Sequence, residues 1–459
     1  MSTPPRLAVL AALATVLSLT IWLPGCTRDA RPSVLVVTID TLRADHTSAY
    51  GYSVPTTPEL VRIAADGVLF ERAYSMTSTT GPSHAALLTG RYPRSMGVLK
   101  NGHIVDDDEL LLSEILGFQG YQTAAFVSSF PVRAKFGFDQ GFELFDESFS
   151  LEESSLGSPS YRRGRNRIAQ YTSRRFLYWL RTTDGGPWFS WVHFVDPHSP
   201  YKAPDKFEAQ WPPGTSGLVK KYDEEIHYAD SWLGKIYDEA LAGAGPGGLL
   251  FVVTSDHGEG LGDHKWLGHG VNLYEEAVRV PMVAVWKGHF EAGTRVIEPV
   301  SLIDVLPTVL AAVGEAVPEN VDGQGLFGAH RTLDRPIVLQ RRSYASNRDQ
   351  GHDVQGDLMG VVQWPQKFLA VSGGPAELEA PDSGRLDDTE GRHSDGRELY
   401  DLSVDPREKD NIAADRPRRV HTLVRDLARW QEATPEPGHE QADLSEDDKR
   451  HLRALGYVD

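Results

Sequence analysis

A single cysteine in 459 residues, Cys26, leaves no partner for an internal disulfide and rules out a cysteine-based zinc site. Basic charge is scarce as well. With 46 Lys and Arg against 64 Asp and Glu, the formal net charge is −18, which argues against a nucleic-acid binder. An anionic substrate must then be drawn in by a local positive centre such as a metal ion. No internal repeat is present. The composition, 40% hydrophobic and 24% charged, excludes global disorder. The length exceeds one small core, so a large α/β domain with a smaller companion is the expectation.

The opening stretch MSTPPRLAVLAALATVLSLTIWLPGC carries Arg6, an apolar run from Leu7 to Leu23, then Pro24, Gly25 and Cys26. A positive residue ahead of such a run reads as a secretory signal. Leu23 to Cys26 resembles a bacterial lipobox, in which the cysteine becomes a lipidated N-terminus. The expectation is a lipoprotein-type signal over 1–26 and a linker over 27–32. It places the protein in a bacterial cell envelope, exported and lipid-anchored in the outer membrane or facing the periplasm. An uncleaved anchor, near the short limit for spanning a bilayer, and plain secretion are the alternatives. All three place the remainder outside the cytoplasm.

SVLVVTID, residues 33–40, is a continuous β-branched run of the kind buried on both faces of a sheet, and it ends in Asp40. TTPELVRIAADG predicts a helix capped at Thr57, opened by Pro58 and closed by Gly67, with Leu60, Ile63 and Ala64 on one face. VLFERAY reads as one short strand. DELLLSEILGFQG reads as a helix and YQTAAFVSS as a strand. WFSWVHFVDPHSPY is a further strand ending in Asp196 and His198. KKYDEEIHYADSWLGKIYDEALAG is a long amphipathic helix facing inward with Ile226, Trp232, Leu233, Ile236 and Leu241. GLLFVVTSDHGEGLGDHKWLGHG is a buried strand running into Asp256 and His257. This alternation predicts a mostly parallel central sheet flanked by helices. From about Arg335 the pattern changes. RPIVLQRRSY and LMGVVQWPQKFLAVSG read as antiparallel strands, residues 375–396 as a loop, and DRPRRVHTLVRDLARW as a helix. The expected division is a large domain over 33–334 and an α+β subdomain over 335–459. The basic stretch YRRGRNRIAQYTSRRFLYWLR could meet a polyanion or a membrane surface. The reading preferred is an amphipathic helix with Ile168, Tyr171, Phe176 and Leu180 inward.

Acidic and imidazole groups thus collect where open α/β sheets place their ligands, at the carboxyl ends of strands. Asp40, Asp256, His257 and the hydroxyl of Thr80 form an oxygen- and nitrogen-rich donor set for a divalent cation. A hydroxyl on such a cation loses its proton more readily and becomes a better nucleophile. Thr80 opens TTGPSHAALLTGRYP, a predicted helix start. There it serves equally as a cap or as a group at an anion-attracting helix N-terminus. His198, His269 and Lys265 are candidates to donate hydrogen bonds to the anion, and the two histidines could instead bind a second cation.

VVTIDTLRADHTSAYGY, TTGPSHAALLTGRYP, FVDPHSPY, SDHGEGLGDHKWLGHG, VSLIDVLPTVLAAVG and ELYDLSVDPREKDNI resemble the ordered motifs of the sulfatase family, within the alkaline phosphatase superfamily, over residues 32–455 or so. The resemblance implies a large α/β domain, a small C-terminal domain and a metal-dependent site. It makes Asp40, Asp256 and His257 metal ligands, beside the Thr80 hydroxyl already read as part of the donor set, and His198, Lys265 and His269 candidates for contacting the anion. Three positions depart from the family pattern. Thr80 stands where these enzymes have the Cys or Ser that is oxidised to formylglycine, so formylglycine is not expected. His84, a candidate catalytic residue, stands where the signature has Arg, and Thr41 where many members have a second Asp. Threonine nucleophiles do occur in relatives that handle phosphate esters: nucleotide pyrophosphatases, phosphoethanolamine transferases and lipoteichoic acid synthases. The reading is therefore a metal-dependent hydrolase of phosphate or sulfate esters acting through a covalent intermediate on Thr80, with phosphoester hydrolysis or transfer favoured. The alternatives are a sulfatase proper and an inactive envelope protein that binds glycans. The cation would be Ca, Zn or Mn, and the substrate a sulfated or phosphorylated glycan, lipid or small molecule. The N-terminal lipid would be the link to a membrane, and no nucleic acid is expected.

Overall fold

Residues Ser33–Ile39 form a strand, β1, with every side chain buried. Alternate residues serve different cores: Val34 and Val36 face one, and Leu35, Val37 and Ile39 the other. This is why the run is continuously apolar instead of alternating with polar residues. The computed structural model describes residues 31–148, 166–204, 207, 217–327, 331–342, 357–371, 396–438 and 440–454. The signal and lipobox readings, and residues 375–395 of the expected loop, lie outside these.

The other strands of the main sheet are β2 (Val68–Phe70), β3 (Gln122–Phe126), β4 (Leu144–Asp146), β5 (Trp188–Phe194), β6 (Leu249–Ser255), β7 (Met282–Val285) and β8 (Thr294–Val296). Their order across the eight-stranded sheet is β8-β2-β7-β6-β1-β5-β3-β4. The stretch from β6 to β4 is parallel throughout, whereas β7 runs antiparallel to both its neighbours. VLFERAY is not one strand. Val68–Phe70 joins the main sheet, while Ala73–Tyr74 pairs with Arg279–Val280 and Val300–Ser301 in a separate three-stranded sheet. These pairings are remote in sequence, so the local pattern could not reveal the break.

Helices cover both faces. On one side lie α1 (Pro58–Ala65), with Pro58 in its first turn as expected, and residues buried from two others defined below. On the opposite side lie α2 (Thr80–Thr89) and α3 (Leu112–Phe118). The basic stretch resolves as α4 (Ala169–Leu180), which seats Phe176 and Leu180 in the core beside α1. Ile168 and Tyr171 are only half-buried there, and Arg167 turns fully inward to pair with Asp146 at 2.7 Å. The long helix α5 (Gly217–Gly243) packs on the same side through Ile226, Trp232, Leu233 and Ile236. A further helix, α6 (Val305–Val313), joins the α2 side.

A second sheet, antiparallel, runs in the order β9 (Ile337–Arg341), β10 (Leu358–Gln363), β11 (Gln366–Val371), β12 (Arg397–Asp401). On one face Met359, Val361 and Phe368 join the main core together with Val420 and Leu423 of α7 (Pro417–Ala433). On the other, Leu339, Leu358 and Val362 meet Tyr74, Leu273 and Ala277. Apolar contact is therefore continuous across residue 334. The fully buried Lys367 ammonium adds an ionic tie, 3.1 Å from Glu275 and 2.9 Å from Glu408. It fastens the segment after β6 to the small sheet. Among the described residues, no helix is long and apolar enough to cross a membrane.

Candidate active site

All ten residues of α2 are buried, so this helix is wedged inside the protein. Its N-terminal turn sits against the carboxyl ends of β1 and β6. Ser83 Oγ donates to the backbone carbonyl of Asp256 (2.7 Å) and is paired with Ser75 Oγ at 2.6 Å, and Asn101 Oδ1 accepts the Gly81 N–H (2.6 Å). Thr80 is the first residue of α2 and so is not its cap; the N-cap position falls on Thr79, which makes no side-chain capping bond. Thr80 instead places its Oγ 3.3 Å from His257 Nε2.

Two strand ends supply the carboxylates. Asp40 follows β1 and is completely buried, with neither carboxylate oxygen hydrogen-bonded. Asp256 follows β6. Its Oδ1 accepts the N–H groups of Thr41 (3.1 Å) and His257 (2.8 Å), while its Oδ2 has no hydrogen-bond partner and lies 3.4 Å from His257 Nε2. Thr41 is a buried β-branched residue at φ 58°, a conformation such residues rarely adopt and which clusters at functional sites. Leu42 N–H and the His257 carbonyl both bond Ser255 Oγ, at 2.9 and 2.6 Å, which locks the two strand ends together. Gly258 is obligatory here, since a Cβ would lie 2.0 Å from the Glu276 carbonyl oxygen.

Burial, followed by the charge of Asp256 and of Glu259, pushes the Asp40 carboxyl well above the usual range. Burial would raise Asp256 too, but the imidazoles of His257, His84 and His193 outweigh it and hold that carboxyl below its ordinary value. His257 is kept neutral by burial. Its Nδ1–H donates to the Gly258 carbonyl (2.9 Å), so Nε2 keeps its lone pair, 3.8 Å from Asp40 Oδ1. Two buried carboxylates with unpartnered oxygens, an imidazole lone pair and a hydroxyl are a donor set that fits a divalent cation. Asp40, Asp256 and His257 offer ligand atoms all within 4.8 Å of one another.

The remaining expected residues fall into three situations. His198 and His269 are buried close to the cluster: their ring centroids are 4.9 Å apart, and that of His269 is 4.6 Å from that of His257. Burial lowers both rings to about 4. His198 Nδ1–H donates to the Ser199 carbonyl (2.7 Å) and His269 Nδ1–H to Glu259 (3.0 Å), leaving Nε2 as the acceptor atom of each neutral ring. They can therefore hold a proton or a cation in the neutral state, and they donate from Nε2 only when protonated. His84 has both nitrogens engaged inside the protein: Nδ1–H donates to the Thr80 carbonyl (2.8 Å), and Nε2 accepts from Thr38 Oγ (2.9 Å). Lys265 is exposed, at φ 65°, between the two-residue strands Gly260–Leu261 and Leu267–Gly268.

Three residues that matter here, His193, Asn101 and Arg43, were not singled out from sequence, and Glu259 was read only as part of the run Asp256-His257-Gly258-Glu259. Glu259 orients His269. His193 lies within β5, 3.6 Å from Asp40. Asn101 ties down the first turn of α2. Arg43 donates to the Glu259 carbonyl (3.1 Å) and to Asp263 (2.6 Å), steadying the hairpin that carries His269. Conversely Asp196, at the end of β5, accepts the Ala169 N–H (2.7 Å) at the start of α4.

Comparison with known proteins identifies the family and the fold. A family model described as Sulfatase matches residues 32–315. N-acetylgalactosamine-6-sulfatase of Rattus norvegicus is 27% identical over 365 residues, covering 68% of each chain. The multifunctional alkaline phosphatase superfamily protein PehA of Trinickia caryophylli is 26% identical over 500 residues, covering 87% of this chain and 94% of its own. Among solved structures, the phosphonate monoester hydrolase of Agrobacterium radiobacter superposes with a TM-score of 0.69 at 22% identity, covering 91% of this chain and 99% of the other, and shares the fold.

Proposed function

The chain belongs to the sulfatase family, within the alkaline phosphatase superfamily, and is a hydrolase acting on ester bonds; on that premise we propose that Thr80 is its nucleophile and that its substrate is a phosphate ester. The observation that carries this reading is the Thr80 hydroxyl, 3.3 Å from His257 Nε2 in a cluster that includes two buried carboxylates with unpartnered oxygens.

Asp40, Asp256, His257 and Thr80 would hold the divalent cation. When bound, it supplies positive charge that draws the anionic ester and makes the Thr80 hydroxyl more acidic. The chain's own residues supply the rest. The first turn of α2 directs the positive end of the helix dipole at the phosphoryl group. His269, oriented by Glu259, takes the Thr80 proton as the Thr80 oxygen bonds to phosphorus, and returns it to the departing alcohol oxygen as its bond to phosphorus breaks. In the second half His269 accepts a proton from water. The water oxygen bonds to phosphorus, and the Thr80–phosphorus bond breaks with the proton going back to Thr80. His198 packs beside His269, and burial keeps both rings uncharged.

Threonine favours phosphorus over sulfur for a chemical reason. A formylglycine hydrate expels sulfate by reforming its aldehyde, an exit closed to a threonine ester, whereas a phosphothreonine is released by attack at phosphorus. A sulfuric ester is the competing substrate, and the sulfatase names among the relatives favour it. A sulfated or phosphorylated glycan, a lipid or a small molecule would each suit the anion site. The apolar run and Cys26 support export to a bacterial envelope with a lipid anchor.

The test is turnover of aryl sulfate, phosphate monoester, phosphate diester and phosphonate by purified protein loaded in turn with Ca, Mn and Zn. Preference for a phosphorus ester is expected; turnover of aryl sulfate alone would reject it. No turnover of any ester would favour a glycan-binding role.

A further inference from the structure

β5 carries a buried imidazole for which the reaction above has no use. His193 is completely buried, in register with Thr38 of β1, two residues before Asp40. An imidazole costs free energy at a strand position that an aliphatic residue would fill, unless its polar atoms are used. Its Nδ1 accepts the Ser128 N–H at 3.4 Å, so the proton of the neutral ring sits on Nε2. Nε2 points to the rear of the cation cluster, 3.6 Å from Asp40 Oδ2, and has no hydrogen-bond partner. Asp40 Oδ2 has none either. His84, packed edge-on to His193 with ring centroids 4.9 Å apart, offers no alternative, because both its nitrogens are engaged by Thr80 and Thr38. Asp40 thus has one oxygen toward His193 and the other, Oδ1, toward His257 Nε2 at 3.8 Å.

We propose that His193 is a positioning residue for Asp40: its Nε2–H donates to Oδ2, closing from 3.6 Å as the carboxylate draws in around the cation, and so presents Oδ1 to the metal. With His84 holding the carbonyl of Thr80, two histidines form a layer beneath the site, one aiming the nucleophile and the other a ligand. The inference rests on the reading that Asp40 holds a divalent cation.

The experiment is titration of the full chain with Mn²⁺, followed by calorimetry and by the electron paramagnetic resonance of bound Mn²⁺, for wild type, His193→Leu and His193→Gln. Circular dichroism and melting in EDTA check folding. Loss of a group that orients a metal ligand weakens affinity by roughly 10- to 100-fold, so His193→Leu should fall in that range and His193→Gln, which keeps an N–H donor, within about threefold of wild type. His193→Phe, which keeps a ring without the donor, takes the place of the leucine variant if that fails to fold. A folded donor-less variant that binds as tightly as wild type overturns this role and leaves the cation reading intact, as does a folded glutamine variant no better than the donor-less one. Wild type that binds none of Mn²⁺, Zn²⁺ and Ca²⁺ in the same titration overturns both.

Discussion

Replacing His84 by leucine separates a histidine that works on the substrate from one that holds the nucleophile in place. The side chain is fully buried, and the bonds at stake are Nδ1–H to the Thr80 carbonyl at 2.8 Å and Thr38 Oγ–H to Nε2 at 2.9 Å. Thr38 Oγ already accepts Trp191 Nε1–H at 3.0 Å, so its own proton has no other described acceptor once the imidazole is gone. A hydrogen bond lost outright contributes about 1 kcal/mol, and a buried hydroxyl left unsatisfied costs about 1–3 kcal/mol, so His84→Leu should lose roughly 2–4 kcal/mol. Leucine has a comparable bulk, which keeps the packing change small. Urea unfolding at pH 7.5 in EDTA, followed by tryptophan fluorescence, measures this. Turnover should fall with stability, because the first turn of α2 is no longer pinned beneath Thr80. If the variant is as stable as wild type within about 0.5 kcal/mol, and kcat nonetheless falls a thousandfold, the reasoning is refuted and His84 acts on the substrate.

Asp40→Asn should abolish turnover yet raise the melting temperature of the cation-free protein, since it removes a buried carboxylate that burial and Asp256 already disfavour in its charged form; a lower melting temperature in EDTA would contradict this. Glu259→Gln should leave KM nearly unchanged and lower kcat by about 10- to 100-fold, because His269 loses its orienting carboxylate; steady-state kinetics decide. Acid should destabilise the cation-free protein. His198 and His269 titrate at about 4 when folded, against roughly 6.5 when unfolded, so between these values the unfolded chain binds more protons. Stability from these two groups is complete above about 6.5 and is lost as pH falls toward 4, by about 3 kcal/mol for each. Urea midpoints between pH 4.5 and 7.5 should show the slope, and His198→Gln should flatten it.

Much of the fold was legible in the sequence because the parallel sheet is buried on both faces. SVLVVTI and LLFVVTS hold the uninterrupted apolar runs VLVV and LLFVV, and each strand leads directly to the carboxylate it delivers. Pro58 and Gly67 marked the limits of α1 for local reasons. The elements that escaped depend on contacts remote in sequence. VLFERAY breaks because its halves find different partner strands. His193 looks like an interior position of a strand, and only the register with β1 brings it behind Asp40. Glu259 was visible as a neighbour of Asp256, but its bond to His269 requires the hairpin to fold back. Asp196 shows the reverse: a strand-end carboxylate that caps α4.

The central claim is that the hydroxyl of residue 80 attacks the ester. Acid quenching during turnover of a phosphodiester, followed by mass spectrometry of the peptide containing Thr80, tests it most directly. The account predicts a phosphoryl group on Thr80 that appears with substrate and is absent from Thr80→Ala. An unmodified Thr80 during rapid turnover, or undiminished activity in Thr80→Ala, would contradict it.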